Sequence, residues 1–114
     1  MSRPTLFLLA SGFADEKQPG KKFFCPSCAF LEGVLAVYPQ IKEKIDIQRV
    51  PFPRPRQQVI AAAGEENQSL PLLVLAGKSN SPHVTGEHNG RSLVDGKKAI
   101  AAYFAETYGI DWAH

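Results

Sequence analysis

Cysteine is scarce in this chain: two residues in 114, beside one methionine and one tryptophan. So few cysteines exclude a disulfide-stapled scaffold, in which several bridges substitute for a core. No apolar run approaches the roughly 20 residues that a transmembrane helix needs. Charge of one sign is also lacking. Thirteen basic residues against 11 acidic ones leave a formal net charge of +2, which gives no electrostatic argument for a nucleic-acid partner. Internal repeats are absent. With 44% hydrophobic residues, the composition is not that of a disordered segment. It suits one domain over residues 1–114 with a modest core.

The first apolar stretch, Leu6-Phe7-Leu8-Leu9-Ala10 after Arg3, is shorter than the usual signal-peptide core of about 7–15 residues. It reads instead as a strand over 5–10, buried on both faces, so the expected location is the cytoplasm, with no membrane partner. The glycines, proline and mixed charges of residues 11–22 predict a surface loop. Pro26 suits the first turn of a helix, where a missing N–H costs nothing. Phe30, Leu31, Val34, Leu35 and Tyr38 then form one helical stripe, closed by Pro39. Gly33 inside it costs about 1 kcal/mol relative to alanine, and a close approach to a neighbouring strand would explain it.

A second strand is expected over 45–50, with Ile45 and Ile47 on one face. The prolines of 51–56 exclude an interior strand or helix there. A short helix follows from about Pro55 to Ala63, with Val59, Ile60 and Ala63 inward and Gly64 as its stop. Residues 72–76 predict a central strand, 77–90 a long polar turn region, and 92–94 a short strand. Asp95 is positioned to cap a last helix whose stripe is Ile100, Tyr103, Phe104 and Thr107, ended by Gly109. The expected fold is α/β, a four-stranded mixed sheet with flanking helices in the order β-α-β-α-β-β-α.

Both cysteines fall in one motif, Cys25-Pro26-Ser27-Cys28, at the start of the first helix. A disulfide across so short a loop gains roughly 2 kcal/mol in the loop-closure model, against about 4.7 for a hundred-residue loop. Stability is therefore a weak reason for the pair. At a helix N-terminus, unpaired N–H groups favour an anion, and Lys21 and Lys22 add positive potential. The chemistry expected of such a placement is thiol exchange, with Cys25 attacking a disulfide and Cys28 resolving the mixed disulfide.

The element order, with Cys-x-x-Cys at the first helix, resembles the thioredoxin-like superfamily. Ser69-Leu70-Pro71-Leu72-Leu73-Val74-Leu75 is similar to the segment of glutaredoxins and glutathione-transferase N-terminal domains where a cis-proline starts the third strand. Val94-Asp95-Gly96-Lys97-Lys98-Ala99-Ile100 opens a stretch similar to the last helix of those transferase domains. The chain as a whole also resembles a small, uncharacterised bacterial thioredoxin-like family. The resemblance implies a cis-Pro71 facing the cysteines, a Leu70 backbone open to a bound peptide or thiol, and Pro26 and Ser27 at the substrate-binding edge. It implies a thiol or disulfide protein or small molecule as substrate. Glutathione as cofactor is not supported by recognisable contacts, because Lys97 stands where the transferases carry a serine. The loop before Cys25 is also longer than in those folds, and the transferases' helical second domain is absent.

Two other readings stay open: a non-catalytic scaffold or interaction domain, and metal binding through the cysteine pair. His83 and His88 complete a zinc-like ligand count. The 54 residues between Cys28 and His83, however, far exceed the finger spacing of about 12–15. Zinc shared between two chains is the other form of that reading. Arg54 and Arg56, with Arg49 nearby, are candidate anion-binding residues, set against a solvated basic loop. Asn67-Gln68-Ser69 matches a glycosylation acceptor, irrelevant to a cytosolic protein. Tyr38, Tyr103 and Tyr108 read as core or helix-edge aromatics, and Trp112 lies in the tail.

Overall fold

The computed structural model describes residues 3–114. Five strands form one mixed sheet: β1 (Thr5–Leu9), β2 (Asp46–Val50), β3 (Leu72–Val74), β4 (Gly86–His88) and β5 (Arg91–Asp95). Their spatial order is β2-β1-β3-β5-β4. Only β1 and β2 are parallel, with Thr5 opposite Asp46 and Leu9 opposite Val50; every other pair is antiparallel. Among the described residues, three α-helices, α1 (Pro26–Val37), α2 (Gln57–Ala63) and α3 (Lys97–Tyr108), and a short 3-10 helix (Pro39–Glu43) complete the fold.

The unbroken apolar run of β1 has its reason in the layers around it. Side chains alternate across a strand. Leu6 and Leu8 therefore enter a core with Leu31 and Leu35 of α1 and Ile100 and Phe104 of α3. Phe7 turns to the other face, under Val59, Ala62 and Ala63 of α2. Ile45 and Ile47 share the first core, as their spacing predicts. Among the described residues, no helix is long and apolar enough to cross a membrane.

The sheet has one strand more than the expected four. Residues 86–88, inside the expected turn region, pair with β5 as a hairpin. Its two-residue turn is Asn89-Gly90, both with positive φ (49° and 76°), which matches the twist of the flanking strands. Asp95 does not cap α3. Its backbone is committed to β5 opposite Leu72, and Gly96 takes the cap position without a side-chain bond. Thr107 is exposed; Ala101 and Ala105 complete the buried stripe of α3 instead. The second helix starts at Gln57 rather than Pro55, because Arg56, with non-helical backbone (φ −97°, ψ 88°), is the cap.

Two α1 residues face differently from expectation. Phe30 is exposed on the solvent side, under the Lys97 ammonium. A side chain at Gly33 would meet nothing within 4 Å, so no close approach accounts for that glycine.

Candidate functional site

The two thiols sit where β1 hands over to α1, in different environments. Cys25 is the N-cap of α1, with extended backbone (φ −81°, ψ 116°) and Pro26 directly after it. Its Sγ accepts the Cys28 backbone N–H at 3.3 Å, so sulfur does the work that serine or aspartate oxygen does at ordinary caps. Cys25 is half-buried; Cys28 is 2% exposed. The Sγ of Cys28 lies 3.4 Å from the Leu9 backbone N–H, which donates to it from the end of β1. The two cysteines come within 3.0 Å and are unbridged.

Burial pushes the Cys28 thiol up to about 12. The Leu9 N–H opposes this, while the hydrogen bond and charge of Cys25 and the charge of Glu32 reinforce it. Cys28 is thus a protonated thiol at neutral pH, poised beside a partly accessible partner.

Both cysteines line a cavity of about 230 Å³. Leu9, Phe24 and Ala29 supply apolar lining, and Glu32 and Arg49 charged lining. Phe24, next to Cys25, is 61% exposed. Arg49 reaches across from β2 and donates to both oxygens of Glu32, from Nε at 2.8 Å and Nη2 at 2.7 Å. That bidentate contact holds the Glu32 carboxyl below the usual range and the Arg49 guanidinium above its own. A larger groove of about 470 Å³ runs between α1, α3 and the C-terminal tail, but neither thiol lines it.

The Leu70–Pro71 peptide is cis. In the antiparallel register Phe7 faces Leu72. Continuing it one and two residues sets Pro71 level with Leu8 and Leu70 level with Leu9, the residue that bonds Cys28. The loop before β3 therefore lies at the same end of the sheet as the thiols. Pro71 is buried, Leu70 half-buried, Pro26 exposed and Ser27 half-buried.

Arg56 is neither a solvated residue nor a side chain free for an anion. It is 6% exposed. It donates from Nε and Nη2 to the Phe52 carbonyl and from Nη1 to the Gln68 carbonyl. Its own N–H donates to the Gln68 side chain. The guanidinium thus staples the proline-rich loop to the segment before Pro71, and burial lowers its pKa despite the thiols' influence. Arg54 is exposed and, among the described residues, hydrogen-bonds only Ser69, at 3.4 Å. The histidines lie away from the sulfurs. His83 stands beside Glu106 and the Trp112 ring, and His88 ends β4 at the opposite end of the sheet. Among the described residues, no three or more His, Cys, Asp or Glu are grouped to hold a metal ion.

Glu32 and Phe24 belong to the site without having been singled out in the sequence. Glu32 was within reach of sequence reasoning, since four residues after Cys28 is one helical turn on the same face. The loop 11–22 is also more ordered than its composition implies. Phe13 and Phe23 exchange backbone hydrogen bonds at 3.2 and 2.8 Å. Phe13 stacks on Phe52, 4.3 Å between centroids and 3° from parallel. This strap presents Phe24 and Cys25 from a fixed frame.

A mixed α/β domain with a cysteine-capped helix is what fold and site define. The chain belongs to the DUF3088 family, described as proteins of unknown function, whose model matches residues 3–111. No curated protein matches it, and no solved structure matches it.

Proposed function

We propose that this protein is a thiol–disulfide oxidoreductase of the thioredoxin-like type, with Cys25 as nucleophile and Cys28 as resolving thiol. The observation that carries the reading is the asymmetry of the pair. One sulfur caps a helix, accepts an N–H and borders a cavity; the other is buried and held protonated beside it. The fold supports it too. Without the edge hairpin strand β4, the order is β2-β1-β3-β5, with α1 between the parallel pair and a cis-proline before β3.

In the proposed reaction the Cys25 thiolate attacks one sulfur of a substrate disulfide. That S–S bond breaks and the other half leaves as a thiolate. Cys28 then loses its proton to solvent and attacks Cys25 Sγ. The second substrate thiolate leaves, and the enzyme holds a Cys25–Cys28 disulfide that an external thiol must reduce. Pro26 and Ser27 border the attacking sulfur, and the backbone of Leu70 before Pro71 pairs with an extended substrate.

Trapping tests the assignment. Cys28→Ser should accumulate a mixed disulfide through Cys25, and Cys25→Ser should not. Equal trapping by both variants would reject the assigned roles. Failure of wild-type protein to react with any disulfide would leave a scaffold.

A further inference from the structure

Resting on that thiol-exchange reading, we infer that the cavity beside Cys25 is a subsite for the zwitterionic head of a small amino-acid disulfide, its carboxylate on Arg49 and its ammonium on Glu32. The cavity of about 230 Å³ falls below the roughly 300–1,000 Å³ of drug-sized pockets, so it suits a head group rather than a whole large ligand. Its walls combine apolar and charged groups. Leu9, Phe24 and Ala29 line it together with the two cysteines and with Glu32 and Arg49, so apolar surface for a substrate's methylene and a charged pair for its head group share one cavity.

The spacing fits such a ligand. Glu32 is seven residues from the cap, about 10 Å of axial rise on nearly the same face, and helical side chains lean back toward the N-terminus. In the half that becomes bonded to Cys25, an S–S link of about 2 Å and two further bonds separate the attacking sulfur from the α-carbon that carries the ammonium and carboxylate.

The charge arrangement selects the ligand's charge type. Among the described residues Arg49 donates only to Glu32, through Nε and Nη2, leaving Nη1 for a carboxylate. Each Glu32 oxygen keeps a lone pair for an ammonium. Both side chains are accessible, 51% and 38% exposed. A lone anion drawn to Arg49 is repelled by Glu32, and a lone cation drawn to Glu32 is repelled by Arg49. A zwitterion gains from both without breaking the pair.

The step is balanced. Cys25 thiolate attacks one sulfur of cystine, the cystine S–S bond breaks, and one cysteine leaves as thiolate and takes a proton from water. The substrate disulfide is the oxidant, and its other half remains bonded to Cys25.

The test uses reduced Cys28→Ser protein, which stops at this step. Four disulfides are compared: cystine, the dication cystamine, the dianion 3,3′-dithiodipropionate and neutral bis(2-hydroxyethyl) disulfide. Each rate of mixed-disulfide formation is divided by that compound's rate with 2-mercaptoethanol. Cystine is expected to lead. Arg49→Gln should lower its normalised rate, relative to the neutral disulfide, about fivefold. Glu32→Gln should lower the same ratio while raising that of the dianion about fivefold, reversing their order. Four equal normalised rates, or variants that shift all four together, overturn the subsite and leave thiol exchange standing. No reaction even with the neutral disulfide overturns both.

Discussion

At pH 7 the Cys28 thiol should be nearly inert in a Cys25→Ser variant, and its reactivity should climb with pH far beyond the ordinary thiol range. Burial is the main reason its pKa rises to about 12 in the wild type; the serine leaves that burial in place and removes only the smaller contributions of Cys25, so about 12 is the upper limit for the variant. Five units above pH 7, about one Cys28 in 10⁵ is a thiolate, against about 3% for an ordinary thiol near 8.5. Only the thiolate alkylates. Each such thiolate is about 30-fold more nucleophilic for its higher pKa, so iodoacetamide should modify Cys28 about 100-fold more slowly than a small model thiol. The logarithm of the rate should rise by about one per pH unit up to about pH 11. If modification instead required opening of the α1 N-terminus, the exposed thiol would titrate normally and the rate would level off above about pH 9. A plateau there, or a pH 7 rate within tenfold of the model thiol, would refute the picture of a thiol held protonated in the folded state.

Arg56→Met removes three donations to the Phe52 and Gln68 carbonyls. The unsatisfied carbonyls, partly offset by loss of a buried charge, should cost about 2–4 kcal/mol in urea denaturation; a loss under about 1 kcal/mol would mean a side chain available to a ligand. Gly33→Ala should stabilise the protein by about 1 kcal/mol, raising Tm by about 4 °C, because the methyl group meets open space; an unchanged or lower Tm would contradict that. A thiol whose pKa is raised on folding contributes its stability in full below the unfolded pKa and loses it as pH climbs toward the folded value. Wild type should therefore lose stability from about pH 9 toward 12 more steeply than Cys28→Ala, and parallel urea profiles for the two would be incompatible with the raised pKa.

Several elements were legible because their signals are local. The unbroken run of β1, the helix opened by Pro26 and closed before Pro39, and the stop at Gly64 each rest on neighbouring residues. The fifth strand was equally local: Asn89-Gly90 between short runs is a hairpin signal, obscured by the polar residues around it. The cap of α3 was misread for a longer-range reason. A strand partner, Leu72, holds the Asp95 backbone in β5, and no reading of residues 95–98 alone contains that partner.

The sequence by itself determined that two thiols stand three residues apart at a helix start, since spacing and a first-turn proline need only the chain. Only the tertiary structure decided how they differ. Cys28 is buried because α1 packs on β1, which also supplies the Leu9 N–H. Arg49 reaches the thiol cavity because β2 runs parallel beside β1. Arg56 is a staple because Phe52 and Gln68 converge on it. Desolvation and charge proximity depend on what surrounds a group in space, so residues far apart in the chain set them.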